Sequence, residues 1–378
     1  MKILILTNYA NGLWLFRKEL LLAFMEDGYE VSVSLPPDEN VDKLRALRCQ
    51  NKKINLIETP FERRGSNPIK DFGLFMTYLR LLRQERPDVV LTYTIKPNLY
   101  GGLACRFKRI PYLCNITGLG TAIEDGGLLS RLLLCFYRIS MKKARCVFFQ
   151  NLKNKEFMVQ RGIAVHNHKM LPGSGVNLRE HPLEEYPSEE KEIVFLAVIR
   201  IMKDKGITEY LEAARIIHDR YENVRFKLVG EYEEETREYY EPQIKELEEN
   251  GILSYLGHIE DVGAVMAKSH VIVHPSYHEG LSNVLLEAAA CGRPVLASNV
   301  SGCIETFVEG ESGFAFAVKS TDALVAAMEK MLGLSCEERR DMGVAGRAWV
   351  EKSFDRVIVV QAYRELLFEL RHGEKLES

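Results

Sequence analysis

M1-K-I-L-I-L-T7-N-Y-A-N-G12-L-W-L-F16-R-K-E-L20-L21-L-A-F24-M-E-D-G28-Y-E-V31-S-V-S-L35-P-P37 begins as a short apolar run, Lys2 to Thr7, closed by Asn8, Asn11 and Gly12. Leu13, Phe16, Leu20, Leu21 and Phe24 then recur at helical spacing until Gly28, and Val31 to Leu35 form a second apolar run stopped by Pro36-Pro37. This is strand, loop, helix, strand. Further on, an amphipathic stretch from Asp71 to Glu85 leads through Pro87 into Val89-Val90-Leu91. Strands alternating with helices of this length need right-handed parallel crossovers, so the expected sheet is mostly parallel with helices on both faces.

The alternation is interrupted once. Residues 177–191 (NLREHPLEEYPSEEK) are rich in Glu and Pro and carry no periodicity, which places a domain boundary there. Beyond them it restarts: Ile193 to Val198 strand, Thr208 to His218 helix, Val224 to Val229 strand, Glu234 to Glu249 helix, Val271 to His274 strand, Ser282 to Ala290 helix, Val295 to Ser298 strand. Residues 321–332, 337–352 and 356–371 read as terminal helices. The prediction is an α/β protein of two doubly wound parallel-sheet domains, 1–181 and 182–355, followed by a helix in 356–378. Domains of this kind facing one another would hold ligands at the carboxyl ends of their strands, in the cleft between them.

Composition narrows the function. A length of 378 residues fits two or three domains, and 46% apolar with 27% charged residues excludes long disorder and low-complexity classes. The N-terminal apolar run is too short for a signal-peptide core or a membrane span, so a cytoplasmic protein is expected. Eight cysteines without a C-x-x-C pair suggest neither a zinc knuckle nor a disulfide framework. Charge is unevenly spread: residues 1–180 carry a net +12 and the remainder −15. A basic half beside an acidic half implies an anionic partner on one side only.

Two constellations follow apolar strands in the second half. The first is H274-P-S-Y-H-E279-G280-L281-S282-N283-V-L-L-E287-A-A-A. Gly280 permits close backbone approach, and the amides at the start of the next helix are free to bind an anionic diphosphate. Glu279 and Glu287 are left to accept hydrogen bonds from neutral hydroxyls, and a carboxylate among the apolar neighbours of Glu287 is costly unless a ligand uses it. The second is Arg200-I-M-K-Asp204-Lys205-Gly206, whose two cations can neutralise a diphosphate, Arg200 as a planar fork and Lys205 as a point charge.

Glu279-Gly280-(x6)-Glu287-Ala288, with Pro275-Ser276-Tyr277 before it and Arg200-(x4)-Lys205-Gly206 upstream, resembles the C-terminal domain of the retaining glycosyltransferases of family 4. Leu228-Val229-Gly230, Leu256-Gly257-His258, Gly292-Arg293-Pro294-Val295, Gly302, Glu305 and Glu311-Ser312-Gly313 follow in the same order. The resemblance implies two Rossmann-like domains in the glycosyltransferase-B arrangement, with the last helix crossing back onto the N-terminal domain. By the same resemblance Glu287 holds the ribose, Glu279 contacts the donor sugar, and Arg200 and Lys205 stabilise the departing diphosphate. The amides of Gly280, Leu281, Ser282 and Asn283 assist, His258 and Ile259 flank the base, and Gly12 lets donor and acceptor approach.

In the N-terminal half, T92-Y-T-I-K96-P97-N98-L-Y-G101-G102 and N115-I-T117-G118-L-G120-T-A resemble members that extend sugars on undecaprenyl diphosphate in bacterial cell-surface polysaccharides, the N-acetylgalactosaminyl- and galactosyltransferases among them. Many relatives carry a His beside the donor sugar where this chain offers Asn115, Thr117 and Gly118. Asn115 and Thr117 are therefore candidate acceptor contacts. Lys96 is a candidate for the acceptor diphosphate, with a structural surface lysine the alternative. Glu124 and Asp125, in the loop after Gly120, read as solvated loop carboxylates, with orientation of the acceptor the alternative. A front-side retaining reaction needs no dedicated base, since a leaving-group oxygen can take the acceptor proton, and no ligand cluster argues for a metal or cofactor besides the UDP-sugar substrate.

The run L128-L-S-R131-L-L-L-C-F-Y-R138-I-S-M-K142-K143-A-R145 joins an apolar face to basic residues, which fits peripheral docking on an anionic membrane at its inner face. A dehydrogenase would rest on Gly118-Leu119-Gly120, but Ile123 stands where the third Gly is required. No nucleic-acid motif accompanies the basic half. The sequence thus predicts a transferase moving a hexose or N-acetylhexosamine from a UDP-sugar to a lipid-linked sugar. Its rivals are a non-catalytic nucleotide-sugar-binding scaffold and a transferase acting on a soluble acceptor.

Overall fold

The computed structural model describes residues 1–38, 40–62, 65, 67–119, 123, 126–189 and 192–373. The chain forms two compact units, Met1–Ser174 together with the chain from Val357 onward, and Gly175–Arg356. Each is built on one parallel sheet.

The first unit contains β1 (Lys2–Leu6), β2 (Glu30–Leu35), a short antiparallel ribbon β3 (Arg48–Cys49) and β4 (Lys52–Lys53), β5 (Asn55–Glu58), β6 (Val89–Tyr93), β7 (Tyr112–Ile116), β8 (Cys146–Phe149) and β9 (His168–Met170). Its seven-stranded sheet has the order β5-β2-β1-β6-β7-β8-β9. Side chains alternate between two faces, so Ile3 and Ile5 pack with Val31, Val33 and Leu91 on one side, while Leu4 and Leu6 pack with Val90, Tyr78 and Leu82 on the other. Both faces are covered by helices, which is why the strands read as unbroken apolar runs. Each aliphatic side chain removed from water contributes about 1.5–3 kcal/mol.

Helix Ala10–Glu26 covers the Ile3 face together with the terminal helix Arg356–His372, whose Val359, Val360, Tyr363, Leu366 and Leu367 are buried in that core. The first helix starts earlier than its apolar spacing predicts, because Asp38 Oδ2 accepts from the Ala10 N–H at 2.8 Å and supplies the missing cap. Gly12 consequently lies in the first helical turn and not in a loop. Helix Pro68–Glu85 also starts early: Pro68 occupies its first turn, and the Asn67 side chain caps Ile69 and Lys70.

The second unit contains β10 (Ile193–Val198), β11 (Val224–Val229), β12 (Leu253–Tyr255), β13 (Val271–His274), β14 (Val295–Ser298) and β15 (Gly313–Phe316), in the order β12-β11-β10-β13-β14-β15. The strand order reverses between β10 and β13 here and between β1 and β6 in the first unit. Open parallel sheets bind ligands outside the carboxyl ends of strands at such a reversal.

The expected boundary at 181/182 falls instead at 174/175. Val176 N–H donates to Phe354 O at 2.8 Å, Arg356 N–H donates to Val176 O at 3.0 Å, and Arg347 Nη1 donates to His181 O at 2.9 Å. These bonds tie residues 175–182 to the second unit despite their loop-like composition.

Candidate functional site

At the reversal of the second sheet, the loops after β10 and β13 bring two side chains together. Lys205 Nζ lies 2.6 Å from Glu279 Oε1 and 3.3 Å from Ser276 Oγ, with side-chain exposures of 19% for Lys205 and 15% for Glu279. The approach is made possible at Gly206, where φ is +71° and a Cβ would stand 2.1 Å from Pro275 O. His274, the last residue of β13, places Nε2 2.9 Å from the same Glu279 oxygen. Burial opposes ionisation of Glu279, but the His274 hydrogen bond and the Lys205 ammonium hold its carboxyl well below the usual carboxylate range.

The loop from Glu279 runs into helix Asn283–Ala290, capped by Ser282 Oγ on the Leu285 N–H at 3.4 Å. Gly302 lies against this loop: at φ +89° its Cβ would meet Glu279 O at 2.7 Å and Gly280 O at 2.9 Å. Of the four amides expected to face an anion, that of Ser282 is committed, donating to Gly302 O at 2.7 Å. Those of Leu281 and Asn283 meet no acceptor among the described residues. Glu287 projects from the same helix, and burial pushes its carboxyl up to about 7 against the opposing pull of Arg356.

Arg200 lies apart from this pair. It does not join Lys205 on a common partner; it is exposed and ion-paired with the Glu233 carboxylate. An exposed pair of this kind is worth about 0–1 kcal/mol, so little resists its exchange for another anion. His258 is exposed, 3.4 Å from Glu231 Oε1, whereas Ile259 packs beside the cluster containing Val229, Met266, Leu285 and Ala288.

In the first unit, Lys96 is not a free surface lysine. Its Nζ pairs with Asp71 Oδ1 at 2.9 Å, both side chains little exposed, and the Tyr100 hydroxyl donates to Asp71 Oδ2 at 3.1 Å. Asn115, an expected acceptor contact, is bonded within the core of the first unit. Asn115 Nδ2 donates to Thr92 O at 3.1 Å, Oδ1 accepts from the Tyr363 hydroxyl, and the backbone oxygen accepts from Asn98 Nδ2 at 2.8 Å. Asn115 is 1% exposed, and both of its side-chain polar atoms have a partner. Thr117 is half-buried at the carboxyl end of β7 and makes no hydrogen bond among the described residues. A Cβ at Gly12 would collide with the Tyr9 ring at 2.5 Å. Gly120, Glu124 and Asp125 lie outside the described residues.

One further feature marks the carboxyl edge of this sheet. Thr94, directly after β6, is a β-branched residue at φ +71°, its Oγ1 buried without a hydrogen-bond partner, and a turn of π-helix follows at Pro97–Gly101.

Residues 2–151 match the family described as glycosyl transferase 4-like, and residues 179–349 match glycosyl transferases group 1. Between them they span most of the chain. The chain is a glycosyltransferase. Over 97% of its length the enzyme is 28% identical to 98% of the Campylobacter jejuni N,N'-diacetylbacillosaminyl-diphospho-undecaprenol alpha-1,3-N-acetylgalactosaminyltransferase. It is also 28% identical to the Staphylococcus aureus capsular polysaccharide biosynthesis glycosyltransferase CapM, over 76% of this chain and 78% of that one. Among solved structures it shares its fold with Anabaena HepE in complex with UDP and glucose, at a TM-score of 0.77 and 19% identity, covering 97% of this chain and 99% of that one. The enzyme thus has the Rossmann-like units of the glycosyltransferase-B fold.

Two residues of this site, His274 and Glu233, are not marked by the family motif. The first had a signal, a polar residue ending the apolar run Val271-Ile272-Val273. The second had none, standing 33 residues from Arg200. Among the described residues no helix of the enzyme is long and apolar enough to cross a membrane.

Proposed function

We propose that this glycosyltransferase moves a hexose or N-acetylhexosamine, with retention of anomeric configuration, from a UDP-sugar to a sugar carried on undecaprenyl diphosphate in cell-surface glycan synthesis. The observation that carries the reading is the Glu279 carboxylate, held ionised by Lys205 and His274 beside a helix start at the reversal of the second sheet. In this reading Glu279 accepts from a donor-sugar hydroxyl and Glu287 from the ribose, with the base lying along His258 and Ile259. The amides of Leu281 and Asn283, with Gly280 allowing close approach, receive the diphosphate. Lys205, and Arg200 once released from Glu233, stabilise the charge that develops as the sugar–phosphate bond breaks. A leaving-group oxygen takes the proton of the attacking hydroxyl, so no separate base is required.

The relatives support the substrate classes. The Campylobacter enzyme is named for a diphospho-undecaprenol acceptor, and HepE binds UDP. The first unit is the acceptor side in this reading, with Lys96 and Thr117 nearest the acceptor and Gly12 at the close approach. Peripheral docking on the inner face of the membrane is supported by Leu128, Leu129 and Leu132. These are 85%, 42% and 53% exposed at the start of helix Gly127–Met141, on the same edge of the sheet as Thr117. A groove of ≈ 1130 Å³ at the opposite edge, lined by Arg106, Arg109, Arg138, Lys142, Lys143 and Arg145 among others, adds to the positive field of this unit.

The test is thermal unfolding of wild type and Glu287→Ala with UDP, GDP, ADP and their common sugars. A ligand at 100 times its Kd adds about 2.7 kcal/mol of stability. Stabilisation by UDP and one UDP-sugar, lost in the variant, is the expected result. Absence of a shift with every nucleotide would overturn the donor assignment.

A further inference from the structure

His274 ends an otherwise aliphatic strand and is only 4% exposed. A buried imidazole is costly unless its polar atoms are used. Nε2 is used, 2.9 Å from Glu279 Oε1, while Nδ1 is buried with no hydrogen-bond partner. A carboxylate oxygen can only accept, so Nε2 carries a proton and donates it to Glu279 Oε1.

Glu279 is consequently held asymmetrically. Its Oε1 accepts from two donors on different elements, His274 Nε2–H at the end of β13 and Lys205 Nζ on the turn after β10. Its Oε2 bonds no group among the described residues. The two donors are not equivalent. Lysine is a point charge on a flexible stem that can follow the carboxylate as it rotates, whereas a buried ring at a strand end is fixed in position and plane.

We infer that His274 is a positioning residue: by anchoring Oε1 from a rigid strand end, it fixes the plane of the Glu279 carboxylate so that Oε2 is presented to a hydroxyl of the donor sugar. The inference rests on the reading of Glu279 as the donor-sugar contact. It assigns His274 no contact with the nucleotide. Loss of the ring should therefore weaken recognition of the sugar and leave recognition of UDP untouched.

The experiment measures Kd by calorimetry for UDP, UDP-N-acetylgalactosamine and UDP-glucose with full-length wild type, His274→Leu, His274→Gln and Glu279→Ala. Glutamine can place its amide N–H near the position of Nε2 and so restores the donor. Expected are UDP affinities within about twofold throughout, a roughly tenfold loss for the preferred UDP-sugar in His274→Leu, and recovery in His274→Gln, a tenfold change being about 1.4 kcal/mol. Unchanged sugar affinity in His274→Leu, or equal loss for UDP and UDP-sugar, would overturn the inference while Glu279→Ala still loses the sugar. If Glu279→Ala keeps wild-type sugar affinity, or neither donor binds the wild type, the underlying reading of Glu279 fails instead. Should His274→Leu not fold, His274→Asn decides. Its amide reaches the Nδ1 position only, and full sugar affinity in that variant counts against the role of Nε2.

Discussion

Asn115 and Tyr363 stand 248 residues apart in the chain and share a hydrogen bond in the core of the first unit. The Tyr93 hydroxyl donates to the Tyr363 oxygen at 3.0 Å, the Tyr363 hydroxyl donates to Asn115 Oδ1, and Asn115 Nδ2 donates to Thr92 O. Tyr363→Phe removes the acceptor of the buried Tyr93 hydroxyl and the donor to the buried Asn115 amide oxygen, each worth about 1–3 kcal/mol. Urea unfolding should show a lower midpoint with an unchanged slope. A variant as stable as wild type would mean that the chain of bonds adds nothing to packing.

Lys205 and Glu279 form a desolvated pair, and removing one partner strands the other. Lys205→Met or Glu279→Gln alone should lower turnover by about 100-fold, the usual cost of a lost charge-stabilising group, and should also lower stability. The double variant should recover stability without recovering activity. Recovery of both would relegate the pair to a purely structural role.

Glu287 gives a pH signature of opposite sign to the usual carboxylate. Its folded value is about 7 against an ordinary 4.5, so between these values the folded enzyme keeps a proton that the unfolded chain has released. This group therefore costs stability as pH rises through that window. Glu287→Gln should be more stable than wild type at pH 8, equal to it near pH 4, and weaker for UDP. An identical pH profile of melting temperature in the two proteins would refute the assignment.

Lys96→Met leaves Asp71 buried and unpaired, and a loss of about 3–5 kcal/mol is expected from breaking such a pair. Lys96→Met with Asp71→Asn should restore stability. If that double variant still transfers sugar at the wild-type rate, Lys96 belongs to the scaffold and not to the acceptor contact.

Leu128→Asp with Leu132→Asp should reduce flotation of the enzyme with vesicles of anionic phospholipid, while leaving UDP affinity intact. Undiminished flotation would place the membrane contact elsewhere on the first unit.

The strands were legible because Ile3 to Leu6 and Val224 to Val229 lie in the middle of sheets covered on both faces, which imposes runs a reader can see. Their parallel pairing followed from the helices between them. The pairing of Lys205 with Glu279 was approachable through the strand ends and the family motif, since both sit where a strand stops. Other partners were not. Arg200 meets Glu233 because β10 and β11 are neighbours, a register that spacing does not encode. Asn115 reads as a polar residue entering a loop, and only Tyr363, brought from the far end of the chain, reveals it as buried. Gly12 reads as a loop residue because its helix is capped by Asp38 rather than by its own neighbours.

Because the first unit draws on Met1–Ser174 and then on the chain from Val357, the ribosome delivers its last helix only after the whole second unit has been made. At roughly 5–20 residues per second, that interval is on the order of ten seconds or more. During it, Ile3, Ile5, Val31 and Val33 wait beneath a helix not yet translated, while the second unit already has every segment it needs. The order of synthesis is therefore the reverse of the order of completion, and a message truncated just after codon 356 would yield a finished second unit tethered to an open, aggregation-prone sheet.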